Sequence, residues 1–166
     1  MKLTAKDIAY NGIIAAFYVV LTLITYPISF LGIQLRIAEV MVLLCFFRKD
    51  YIIGLVSGCA IANLMSSIGL IDVLFGTAAT LLACLVIIFC KQLFVAALIP
   101  VISNAFIVGL ELFLFIGDNP YFIYVGMVAI GEFCAMVIGY IFFIALRNNT
   151  KFLKLIRANQ NIAFKI

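Results

Sequence analysis

The stretch Gly32-Ile-Gln-Leu-Arg36-Ile-Ala-Glu39 separates two long apolar segments of the chain. It places a cation and a carboxylate three residues apart at the start of a hydrophobic helix, where the two share a face. An ionisable side chain within a bilayer is costly, so it is by default a functional-site hypothesis. What Arg36 and Glu39 face is therefore the question that the rest of the sequence must answer.

The composition is that of a membrane protein. Hydrophobic residues make up 67% of the 166 residues and charged residues only 11%, whereas soluble domains carry about 25% charged residues. One crossing of a bilayer takes about 20 apolar residues as a helix, which leaves room for about five or six crossings and little else. We expect a single transmembrane domain over residues 1–166, with a basic tail over 147–166.

Several classes of chemistry lack their usual residues. Histidine is absent, which removes the commonest metal ligand and acid–base group. The sequence contains no GxxxxGK[ST] phosphate loop, so we expect no ATPase activity of its own. The five cysteines lie in apolar runs and form no Cys-X-X-Cys pair, which predicts small buried hydrophobic side chains. We expect no cofactor, no metal and no enzymatic activity.

Turn signals divide the chain into six predicted helices. The predicted fold class is therefore an all-α integral membrane protein with six transmembrane helices. The predicted ranges are about 5–25, 36–47, 51–67, 72–90, 93–115 and 121–146. The second is too short to cross a bilayer alone. Asp72 is a plausible N-cap of the fourth helix, and Pro100 is expected to kink the fifth.

The cations predict the orientation, because Lys and Arg are in excess on the cytoplasmic side. With six crossings and an inner N-terminus, all but one of the 11 cations lie at the inner ends, and Arg36 alone lies outside. The inner cations are Lys2, Lys6, Arg48, Lys49, Lys91, Arg147, Lys151, Lys154, Arg157 and Lys165. Both termini are expected in the cytoplasm, with the tail on the anionic leaflet of a bacterial plasma membrane and no nucleic-acid partner.

Polar side chains fall mainly in the outer half of the membrane. At 1.5 Å per residue, Glu39 and Glu111 lie roughly 5 Å below the outer helix ends, Glu132 roughly 15 Å and Asn104 about 17 Å. The inner half is almost purely apolar, which argues against a continuous polar channel and predicts a cavity open to the outside. A carboxylate at such a depth needs a donor or must stay protonated. Three buried carboxylates against one arginine therefore indicate a ligand rich in hydrogen-bond donors.

Structural alternatives exist for most of these residues. Arg36 and Glu39 could form an ion pair at the interface, Asp72 could serve only as a cap, and the two asparagines could bond helix to helix. Glu111 and Glu132 are hardest to explain structurally. The predicted substrate-binding residues are Glu132, Glu111, Asn104, Arg36, Glu39, Asn63 and Asp72.

Small side chains line one face of the first helix. Ala5, Ala9, Gly12 and Ala16 recur at helical spacing, and small residues at this spacing let another helix approach closely in lipid. The residues alone leave two interpretations open, which are packing within the chain and docking of a different membrane subunit.

Five stretches in order resemble the substrate-binding S components of energy-coupling factor (ECF) transporters, and within them the queuosine-precursor (QueT) family. They are Gly32-Ile-Gln-Leu-Arg36-Ile-Ala-Glu39, Gly54-Leu-Val-Ser-Gly-Cys-Ala-Ile-Ala-Asn63, Asp72-Val-Leu-Phe-Gly76-Thr77-Ala-Ala-Thr80, Pro100-Val-Ile-Ser-Asn104-Ala-Phe-Ile-Val-Gly109-Leu-Glu111 and Val128-Ala-Ile-Gly131-Glu132. The resemblance covers nearly the whole chain. It implies a six-helix protein that binds its substrate from outside, with a transmembrane T subunit and two cytoplasmic ATPases as partners. It also implies that the small face of the first helix contacts the T subunit.

The substrate implied by the resemblance is a 7-deazaguanine such as preQ1, preQ0 or queuine. Its guanine-like edge offers two donors that one carboxylate, Glu132 or Glu111, can accept as a pair. Asn104, Asn63 or Arg36 could donate to the ring carbonyl. A second carboxylate suits the amine of preQ1 or queuine, which favours a cationic precursor. The alternatives are an S component for another vitamin-like or purine-like compound, a membrane enzyme that uses the buried carboxylates, and a purely structural subunit.

Overall fold

The computed structural model describes residues 4–26, 35–66 and 68–161, and the regular structure of these residues is helical. In chain order it contains α1 (Ala5–Ile24), a 3-10 helix (Ile37–Leu43), α2 (Leu44–Phe47), a second 3-10 helix (Lys49–Tyr51), α3 (Ile52–Asn63), α4 (Leu70–Ile87), α5 (Leu93–Phe115), α6 (Tyr121–Leu146) and α7 (Thr150–Leu155). Gly32, Ile33 and Gln34 of the stretch quoted first lie outside the described residues, as do Lys2 and Lys165.

Four of the described helices, α1, α4, α5 and α6, are long and apolar enough to cross a membrane. The segment Ile37–Phe47 and the 12-residue α3 are apolar but shorter than the roughly 20 residues that a crossing takes. This is the architecture of an integral membrane protein. Six crossings would require the two short segments to complete the count, so that number stays a prediction.

The predicted bounds hold best for the longest helices. Those of α5 and α6 are as predicted, and α1 ends one residue earlier. The segment predicted as one α-helix over 36–47 is mainly 3-10 helix, and α3 ends at Asn63 instead of continuing to 67. Asn63 donates its side-chain amide to the Asp72 carbonyl at 3.0 Å. This bond ties the end of α3 to the first turn of α4.

The prediction that Asp72 caps the fourth helix is wrong. That helix begins at Leu70, its N-cap is Gly69 with φ of 61°, and the cap position makes no side-chain hydrogen bond. Asp72 therefore lies within the first turn and is 2% exposed. Its carboxylate bonds to another segment of the chain instead of to the backbone of its own helix.

The first 3-10 helix, Ile37–Leu43, lies at the centre of the bundle. It packs against α1, α3, α4, α5 and α6, and Ala38, Glu39, Val42 and Leu43 are all 0% exposed. Runs of 3-10 helix longer than about four residues are uncommon, and this one has seven. Arg36 to Glu39, the second half of the stretch quoted at the start of the sequence analysis, therefore leads into the core around which the long helices pack.

Two glycines bring α1 and α3 into close contact. A Cβ at Gly54 would lie 2.6 Å from the Asn11 carbonyl oxygen, and one at Gly58 would lie 2.9 Å from that of Ala15. The opposite face of α1 is not used in this way. Its small residues Ala5, Ala9, Gly12 and Ala16 are all exposed.

The start of α1, the 48–51 turn and the tail meet at one end of the bundle. The Asp7 carboxylate pairs with Arg48 at 3.0 Å and with Arg157 at 2.8 Å. The Tyr51 hydroxyl donates to the Ile156 carbonyl at 2.7 Å. The segment after α7 therefore folds back onto the bundle instead of extending away from it.

Candidate functional site

The seven predicted site residues come together inside the bundle. Each is at most 4% exposed. They reach the site from the central 3-10 helix and its cap, the end of α3, the first turn of α4, the middle and the last turns of α5, and the middle of α6. In that order they are Arg36, Glu39, Asn63, Asp72, Asn104, Glu111 and Glu132. We call this set the polar cluster.

A buried ion pair forms one side of the polar cluster. Arg36 Nη2 lies 3.0 Å from Asp72 Oδ1, and Asn63 bonds to the backbone of the same aspartate. A Cβ at Gly76 would lie 2.7 Å from Asn63 Nδ2 and 3.1 Å from Arg36 Nη1. Glycine at this position of α4 is therefore what lets both side chains lie against the helix.

Glu39 is held by hydroxyl groups from two other helices. Its Oε1 accepts hydrogen bonds from the Tyr18 hydroxyl of α1 and from Thr80 Oγ1 of α4 at 3.0 Å. Its Oε2 is buried without a hydrogen-bond partner among the described residues. The sequence left open an ion pair between Arg36 and Glu39. In the described structure, Arg36 instead forms its ion pair with Asp72.

The other side of the polar cluster consists of unsatisfied groups. Both oxygens of Glu111, Oε1 of Glu132 and both amide atoms of Asn104 are buried without a hydrogen-bond partner in the described part of the chain. Asn104 lies beside Glu39 and Glu132, and Glu111 lies beside Asp72. Buried polar groups are hydrogen-bonded in the large majority of proteins. Among the described residues, unpartnered polar atoms are therefore concentrated on this side of the polar cluster.

The cluster is closed to the surface. Glu39 and Glu111 are 0% exposed and Glu132 is 1% exposed. The cavity open to the outside therefore stays a prediction.

Sequence reasoning missed two hydroxyl residues at the site. Tyr18 and Thr80 bond Glu39, and the Thr77 hydroxyl is buried without a partner within the described ranges. A signal for Tyr18 was present, because the buried residues of α1 follow helical spacing and most of them are polar. They are Asp7, Asn11, Ile14, Tyr18 and Thr22.

The cysteines are free thiols, and three of them match the expected burial. Cys45, Cys59 and Cys84 are buried, Cys90 is intermediate and Cys134 is exposed. Cys59 lies 3.3 Å from Thr80 Oγ1, at the edge of the polar cluster. Among the described residues, no group of three or more His, Cys, Asp and Glu side chains could hold a metal ion.

Comparisons with known proteins agree with each other. A family model described as QueT transporter matches residues 8–148. A curated protein from Lactococcus lactis subsp. cremoris (strain MG1363), named Queuosine precursor transporter QueT, is 35% identical over 155 residues, which covers 83% of this chain and 90% of that protein. No solved structure matches the chain.

Proposed function

The chain belongs to the QueT transporter family, and from this premise we propose that it is the substrate-binding S component of an ECF-type importer for a queuosine precursor. The name of the Lactococcus relative supports the substrate class. The buried carboxylates of the polar cluster, with oxygens that have no partner among the described residues, support a ligand with several hydrogen-bond donors.

We propose six crossings of a bacterial plasma membrane with both termini in the cytoplasm. The ion pairs of Asp7 with Arg48 and Arg157 support this topology, since they put the start of α1 and the tail at the same end. Cations collect at that end, as expected for a cytoplasmic side.

In this proposal the deazaguanine lies among Asn104, Glu111 and Glu132. Glu132 accepts from the ring N–H and the exocyclic amine, which is a bidentate arrangement that a carboxylate favours. Asn104 donates to the ring carbonyl, and Glu111 receives the amine of preQ1 or queuine. The observation that carries the proposal is the set of buried oxygen and nitrogen atoms on these three residues that have no partner among the described residues.

A binding screen on the purified, detergent-solubilised chain tests this function. The compounds are preQ1, preQ0, queuine, guanine and a panel of vitamins, measured by thermal shift and then by titration calorimetry. We expect preQ1 and queuine to bind more tightly than preQ0, because the nitrile of preQ0 offers nothing to the second carboxylate. Tight binding of a vitamin with no binding of any deazaguanine would instead indicate an S component for another compound.

We propose that the energy for uptake comes from a T subunit and two ATPases. A ligand alone shifts a conformational equilibrium only by its differential affinity, so release inward needs work from a partner. The face of Ala5, Ala9, Gly12 and Ala16 on α1 supports docking of the T subunit, since all four residues are exposed in the described chain.

Replacing Gly12 with leucine is expected to abolish uptake without affecting binding. A Cβ at Gly12 would meet nothing within 4 Å among the described residues, whereas a leucine side chain there would separate two closely packed helices in a complex. We expect preQ1 affinity of the isolated chain within about twofold of the unmodified protein and uptake reduced at least about tenfold in proteoliposomes with the partner subunits.

The matched control is Gly126→Leu, because a Cβ there would also meet nothing within 4 Å in the described part of the chain. It should keep both binding and uptake. Normal uptake by Gly12→Leu would show that the T subunit docks elsewhere.

A further inference from the structure

Tyr18 connects α1 to the polar cluster. It is 1% exposed, and its hydroxyl donates to Glu39 Oε1. The other polar residues on the buried face of α1 make different contacts. Asp7, in the first turn of α1, bonds to two arginines. Asn11 bonds to Gly54 of α3, and Thr22 bonds to the backbone of α1 itself.

The geometry at Glu39 shows what this hydrogen bond does. Tyr18 and Thr80 both donate to Oε1, which fixes the carboxylate and leaves Oε2 as the oxygen without a partner among the described residues. Asn104 lies beside this carboxylate. The two hydroxyls thus determine which oxygen is free to bond a ligand or to orient the Asn104 amide.

We propose that Tyr18 is a positioning residue for substrate binding, which acts by holding Glu39 in its ligand-binding orientation. This inference rests on the proposed function, since it takes the polar cluster to be the ligand site. It makes α1 part of the binding site, although no residue of α1 was among the predicted substrate-binding residues. The small residues Ala5, Ala9, Gly12 and Ala16 lie roughly 150° around the helix from the buried face that carries Tyr18.

A double-mutant cycle tests the positioning role. The affinity for preQ1 is measured by titration calorimetry on the full chain in detergent, for the unmodified protein, Tyr18→Phe, Glu39→Gln and the double variant. Tyr18→Phe removes the hydroxyl donor but leaves the Glu39 carboxylate in place. Because a hydrogen bond to a charged group is lost, we expect about tenfold weaker binding of preQ1 by this variant. If Tyr18 acts through Glu39, the double variant should bind within about twofold of Glu39→Gln alone.

The matched control is Tyr51→Phe. Tyr51 is also buried, at 2% exposure, and its hydroxyl also donates one hydrogen bond, at the opposite end of the bundle from the polar cluster. Both Phe variants lose one buried hydrogen bond, so both should lower the melting temperature. Only Tyr18→Phe should change the affinity, which a merely structural role would not predict.

The outcomes separate this inference from the proposed function. No binding of any deazaguanine by the unmodified chain would overturn both. Two outcomes would overturn the positioning role alone. In the first, Tyr18→Phe binds preQ1 as tightly as the unmodified chain. In the second, the fold-losses of affinity of the two single variants multiply in the double variant. If Tyr18→Phe does not fold, Thr80→Val removes the other hydroxyl on Oε1, and its effect must likewise disappear in the Glu39→Gln background.

Discussion

Replacing Glu132 with glutamine is expected to weaken preQ1 binding by at least about 100-fold, because two charge-assisted hydrogen bonds contribute about 1.5–3 kcal/mol each. Glutamine keeps the shape of the side chain but turns one acceptor into a donor. That donor would then oppose the N–H and amine groups of the deazaguanine edge. The affinity is measured by titration calorimetry, with the melting temperature as the check on folding.

The matched variant is Glu111→Gln, which removes a carboxylate whose two buried oxygens both lack a partner in the described chain. We expect it to weaken preQ1 more than preQ0, since Glu111 is assigned to the amine that preQ0 lacks. If Glu111→Gln weakens the binding of both preQ1 and preQ0 more than Glu132→Gln does, the roles are exchanged: Glu111 then binds the guanine edge and Glu132 binds the amine. Unchanged affinity in both variants would refute the assignment of the site.

Much of the fold could be predicted because apolar length and turn residues determine where a membrane helix begins and ends. The end of α5 and the start of α6 lie on either side of the turn Gly117-Asp118-Asn119-Pro120. The segment after Arg36 could not be predicted in the same way. Its 3-10 geometry belongs to a chain packed against five helices at once, and such contacts are not visible in local sequence.

The members of the polar cluster were predictable and their partners were not. A charged or amide side chain within an apolar run stands out by itself, which is how Glu111, Glu132 and Asn104 were found. Which carboxylate bonds Arg36 depends on the rotation of α4 against the central 3-10 helix. Asp72 was predicted to be a helix cap because the local sequence shows only its place near the start of α4. Its contact of 3.0 Å with Arg36, which is distant in the chain, is not visible there.

Removing either partner of the Arg36–Asp72 pair is expected to destabilise the protein by about 3–5 kcal/mol, the usual effect of breaking a buried ion pair. Both side chains are almost completely buried, at 5% and 2% exposure. The single variants Arg36→Met and Asp72→Leu should therefore give low yields and low melting temperatures in detergent. The double variant should recover most of the lost stability, because a buried ion pair can often be replaced by apolar residues of similar volume.

The double variant also decides whether the pair is part of the substrate site or only of the scaffold. Arg36 stands close enough to Glu39, Glu111 and Glu132 to act on their charges. Its loss would leave three buried carboxylates without this cation. We therefore expect a folded double variant that binds preQ1 at least about tenfold more weakly, the loss of a charged interaction of about 1.5 kcal/mol. Binding at the unmodified affinity would instead assign Arg36 and Asp72 a structural role, and the recognition of the ligand would then rest on Asn104, Glu111 and Glu132, with Glu39 held in place by Tyr18 and Thr80.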